Sequence, residues 1–104
     1  MSEKIRLSVE PQLKELLPGF LANRRRDLEK MRLALHSGDL AAIRDVGKNI
    51  RCFSRVYGIE ELTALGEEIQ AAADECSTLR IVHLQGQLAE YLSRVSFGDK
   101  PDAE

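Results

Sequence analysis

Apolar residues return along this chain at intervals of three and four positions, and no segment alternates residue by residue as a strand would. Pro11 suits the first turn of a short helix over PQLKELL. Pro18 restarts the chain, and Phe20, Leu21, Leu28, Met31 and Leu35 then mark the inner face of a second helix that stops at Gly38. Asp39 is a good N-cap for a third helix, from about Leu40 to Tyr57, which ends at Gly58. Its expected inner face is Ile43, Ile50, Phe53 and Tyr57. A fourth helix begins near Ile59 and carries Leu62, Leu65, Ile69, Ala72, Ala73 and Cys76 on one face. Ser77 or Thr78 can cap a fifth, with Ile81, Leu84, Leu88, Leu92 and Val95 inward. Connections this short force neighbouring helices antiparallel. The expected fold is all-α, an up-down-up-down four-helix bundle with a short N-terminal helix. It spans residues 10–95, between a flexible N-terminal arm (1–9) and a flexible C-terminal tail (96–104).

Composition narrows the class. A chain of 104 residues with 43% apolar and 31% charged residues forms one ordinary globular domain. No apolar run approaches the roughly 20 residues that span a bilayer, and the N-terminus lacks a signal-peptide core. A cytoplasmic location is expected, with no membrane partner. The polar exterior of such a bundle suggests a monomer. Cys52 and Cys76 lack metal-site or redox-motif spacing, so both are expected to be free thiols. No cofactor and no metal are expected.

Candidate enzyme chemistry is thin. His36 sits at a helix end, where a cation favours the helix dipole, and His83 reads as a partly buried helix residue. Neither has a ligand or a catalytic partner at useful spacing, and no phosphate loop or nucleophile motif occurs. The chain is therefore not expected to be an enzyme. The NRRRD run holds Arg24, Arg25 and Arg26, but consecutive helical residues fan around the axis rather than forming one stripe. With 5% aromatic residues for base stacking, nucleic acid is not an expected partner. The run reads as a solvated surface paired with Asp27 and Glu29.

The third helix is different. Arg44, Lys48, Arg51 and Arg55 fall four, three and four residues apart and so share one face. Three stretches here resemble histidine-containing phosphotransfer (HPt) domains of bacterial two-component phosphorelays. They are LPGFLANRRRDL, SGDLAAIRDVG and YGIEELTALGEEI. The likeness covers about residues 10 to 95. It implies a bundle that presents one phosphoacceptor histidine in a GHxxKG-like segment, with a cation three positions on and a glycine four positions on. This chain reads Gly47-Lys48-Asn49-Ile50-Arg51-Cys52. The preceding glycine and the plus-three cation are kept. The acceptor-equivalent position is Lys48, the plus-four glycine is Cys52, and the usually small plus-seven position is Arg55.

That substitution removes the chemistry. A neutral imidazole has a free lone pair near pH 7, whereas a lysine side chain, with an ordinary pKa of about 10.4, has none. The resemblance thus implies a pseudo-HPt protein that docks a response-regulator receiver domain or a histidine kinase without carrying phosphate. The partner-binding residues would be Arg44, Lys48, Arg51, Cys52 and Arg55. The carboxylates that line a receiver pocket complement such a face. Two alternatives stand beside it. One is active phosphotransfer through an unrecognised residue. The other is thiol sensing through Cys52, whose cationic neighbours would favour the thiolate.

Overall fold

The computed structural model describes residues 5–96. The protein is all-α. A short helix α1 (Pro11–Lys14) precedes four longer ones: α2 (Leu17–Ser37), α3 (Leu40–Tyr57), α4 (Glu60–Asp74) and α5 (Thr78–Arg94). Two-residue strands β1 (Ile5–Arg6) and β2 (Val95–Ser96) pair in parallel, Ile5 opposite Val95. Residues 5–9 were expected to belong to a loose arm, yet Leu7 is buried, and Ile5 and Val9 pack against the core. Residues 1–4 and 97–104 of the expected arm and tail lie outside the described residues.

The helix ends follow local chemistry. Gly38 and Gly58 close α2 and α3 with φ of 74° and 72°, a conformation in which a side chain would collide with the following carbonyl. Beyond each glycine the next amide reaches back, from Asp39 to the Ala34 carbonyl and from Ile59 to the Ser54 carbonyl. The Ala42 amide donates to Asp39 Oδ1 at 3.0 Å, capping α3. The end of α4 uses the same geometry with a less suitable residue. Cys76 takes φ 57° while the Ser77 amide bonds the Ala72 carbonyl. Cys76 was expected on the inner face of α4; it is instead an exposed residue of the stop signal.

The long helices pack in a closed ring, α2 on α3, α3 on α4, α4 on α5 and α5 on α2. Leu21, Met31, Ile43, Ile50, Leu62, Ile69, Ile81, Leu84 and Leu88 fill the middle and are almost wholly buried. Two expected core residues lie further out. Leu65 is half-buried, and Phe53 is 52% exposed. Tyr57 is half-buried and packs its ring 4.3 Å from that of Phe20, joining the end of α3 to the start of α2.

The closest backbone approach joins α3 and α4, the most extensively packed pair. A methyl group on Gly66 would lie 2.5 Å from the Arg51 amide nitrogen and 2.7 Å from the Gly47 carbonyl oxygen. One on Gly47 would lie 2.7 Å from the Gln70 nitrogen and 2.8 Å from the Gly66 oxygen. All of these neighbours are backbone atoms, which cannot swing aside. Gly86, in the exposed part of α5, has open space around it. Gly66→Ala should therefore destabilise the protein by about 1–3 kcal/mol through forced separation of two helices. Gly86→Ala should stabilise it by about 0.5–1 kcal/mol through the unfolded state. Urea unfolding of the two variants checks the opposite signs.

Candidate functional site

The stripe on α3 forms as the helical period predicts, along the border with α4, but its cations are not equivalent. Arg44 Nε meets Asp74 Oδ1 at 2.6 Å, and Arg55 Nη2 meets Glu67 Oε2 at 3.4 Å. Both pairs are exposed and cross from α3 to α4, so the outer cations are tied to carboxylates of the neighbouring helix. The inner two are not. Lys48 is exposed and Arg51 half-buried, and neither makes an ion pair among the described residues. The backbone of Arg51 lies against Gly66, and its Nε is buried without a hydrogen-bond partner. Cys52 is exposed, one position further round the helix.

The arrangement therefore reduces to an ammonium and a guanidinium three residues apart, flanked by two neutralised cations. It can bind an anion or carboxylate. The exposed thiol of Cys52 stands beside these two cations. His36 lies exposed in the last turn of α2; His83, expected to be partly buried, is exposed on α5. No group of three or more His, Cys, Asp or Glu side chains that could hold a metal occurs among the described residues.

A second polar constellation lies on the opposite border of α3, and the sequence reading missed it. Arg24 was expected on a solvated surface. It is 4% exposed, and its guanidinium carbon sits 4.9 Å from the Phe20 ring centroid and 5.2 Å from that of Phe53. Its Nε is 2.8 Å from Oδ2 of Asp27, equally buried, though bent away from hydrogen-bond geometry. The rest of the run behaves as surface: Arg26 donates to Asn23 Oδ1 at 2.8 Å, Arg25 reaches the Leu92 carbonyl, and Glu29 pairs with Arg32. The signal was present in the spacing. Arg24 falls four residues after Phe20 and seven before Met31, in the middle of the apolar face of α2. Reading three arginines as one run concealed it.

Burial pushes the Asp27 carboxyl above its ordinary pKa; the Arg24 charge pulls it back, with a smaller pull from Lys30. In α5, burial and the Glu61 charge push Tyr91 up to about 12. Comparison with protein-family models, with curated proteins and with solved structures gives no match for this chain.

Removing one member of the buried pair strands the other charge. Arg24→Met and Asp27→Leu should each cost about 3–5 kcal/mol, and the double change Arg24→Met/Asp27→Leu should recover most of it. A double-mutant cycle in urea measures the coupling. The pH dependence has a definite sign. The folded carboxyl holds its proton above the ordinary 3.8, where the unfolded one has lost it. Its contribution is fully present below that value and is lost as pH rises through the folded pKa. The stability of the wild type minus that of Asp27→Asn should fall as pH rises from 3.8 and then level off.

Proposed function

We propose that this chain is a pseudo-HPt protein. It would be an up-down-up-down four-helix bundle that docks a receiver domain or a histidine kinase in the cytoplasm and carries no phosphoryl group. One observation carries the reading. Of the stripe cations, only Lys48 and Arg51 lack a carboxylate partner among the described residues, and they occupy the positions equivalent to the phosphoacceptor and its plus-three cation. A stripe serving solubility alone has no reason to spare those two. The resemblance that assigns those positions came from sequence, and the pairing pattern supports it independently.

The ring of helices and its contacts fit the bundle arrangement. The start of α2 meets the end of α3 through Phe20 and Tyr57, and the start of α3 meets the end of α4 through Arg44 and Asp74. No helix is long and apolar enough to cross a membrane. The active pocket of a receiver is built from carboxylates, so Lys48 and Arg51 would enter it as counter-charges, and the module would occupy a receiver without discharging it. The exposed thiol of Cys52 stands where the family has glycine, so the approach must accommodate its bulk.

The pairing pattern also selects the variant for a test. Arg55→Glu would break the contact with Glu67, and a change at Arg51 disturbs a half-buried side chain whose Nε is buried. Lys48→Glu disturbs neither. It should leave stability within about 0.5 kcal/mol of wild type and weaken binding to a cognate receiver domain at least tenfold in isothermal titration. Wild type incubated with phosphorylated receiver should acquire no acid-labile phosphate. Equal binding by Lys48→Glu, or binding to no receiver or kinase from the source cell, would sink the reading.

A further inference from the structure

The buried Arg24 has more hydrogen-bonding capacity than the fold uses. A guanidinium carries five N–H groups. Nε faces Asp27, and Nη1 and Nη2 make no hydrogen bond among the described residues. Arg24 lines a groove along the α2–α3 seam, whose walls include Leu16, Gly19, Phe20, Phe53 and Tyr57. Leu16 and Phe53 are each more than half exposed, so large apolar surface faces solvent on both sides of a desolvated cation. Exposed apolar side chains around a charge with spare donors form an unfilled interface centre more readily than a solvated surface.

We propose that this groove docks a segment of a partner protein that presents an acidic side chain next to an apolar one. Arg24 receives the carboxylate and the Leu16–Phe53 rim receives the apolar neighbour. Charge selects the occupant. The planar carboxylate matches the outer edge of the guanidinium, with two parallel N–H···O bonds. A phosphate dianion would bring twice the charge toward Asp27, which stands 2.8 Å from the same guanidinium. The groove also offers a peptide donor. The Asn23 oxygen is taken by Arg26, which leaves the amide NH2 for a main-chain carbonyl. The site lies across α3 from Lys48 and Arg51 and does not depend on the receiver reading.

The test is an NMR titration of the ¹⁵N-labelled full chain with acetyl-Leu-Glu-Phe-amide, and with acetyl-Leu-Gln-Phe-amide as its uncharged match. The proposal expects saturable shifts at the amides of Gly19, Asn23, Phe53 and Tyr57 and at Arg24 Nε. It also expects at least tenfold weaker binding of the glutamine peptide. Arg24→Met should abolish the difference between the peptides; because that variant can lose stability, Phe53→Ala and Leu16→Ala, both at exposed positions, should each weaken the glutamate peptide several-fold with the fold intact. Equal binding of the two peptides, absence of saturable shifts, or shifts confined to Lys48 and Arg51 would overturn the proposal. So would inorganic phosphate displacing the peptide at lower concentration than acetate does.

Discussion

Two glycines set the distance on which the rest of the molecule depends. Gly47 and Gly66 place the backbones of α3 and α4 so close that a single methyl group on either would overlap a neighbouring amide or carbonyl. Helix backbones approach this far only where side chains are missing from both surfaces. The consequence reaches the surface. Because α4 lies so near, its Asp74 and Glu67 meet Arg44 and Arg55, and the backbone of Arg51 fits against Gly66. A wider spacing would loosen both ion pairs together and shift the cations that stand between them. Exposed pairs of this kind add little stability. Their effect is to choose which charges remain available.

The other border of α3 is held differently. Toward α2 there is a buried arginine–aspartate pair under two aromatic rings, costly to desolvate and costly to break. A buried ion pair is a poor source of stability compared with an apolar one of the same shape, and the raised Asp27 pKa reports that cost. Both members lie on α2, and what reaches α3 is the guanidinium, whose carbon sits 5.2 Å from the Phe53 ring centroid. α3 is thus clamped toward α4 by a contact that tolerates no added atom and toward α2 by Phe53 lying against a buried guanidinium. Between the two clamps lies its outward face, with Lys48, Cys52 and Val56 exposed.

That geometry gives the proposed docking role a physical basis. A face meant to meet a partner must be stiff, because binding pays for whatever order it has to create. It must also keep some charges unpaired. Lys48 and Arg51 meet the second condition, since neither makes an ion pair among the described residues. Under the proposed reading, a lysine at the acceptor-equivalent position would leave the electrostatics of the site and remove its reaction, the combination a blocking module requires.

The sequence by itself determined the helices and where they stop. Its apolar period gave α2 to α5 within a residue or two, Gly38, Gly58 and Asp39 gave the ends, and the four-three-four spacing of cations gave the stripe. These are local matters, decided by backbone conformations and by which residues share a helix face. Pairing across helices was not legible. Nothing in the period of α3 says that Arg44 will find Asp74, thirty positions away, while Lys48 finds no partner among the described residues. Phe53 and Arg24 show the limit most clearly. Each helix face has a width, and the neighbour decides where along it burial begins. Packing of α2 against α3 drew the charged Arg24 inside and left the aromatic Phe53 half outside as its cover, because the guanidinium and the ring are stable against each other.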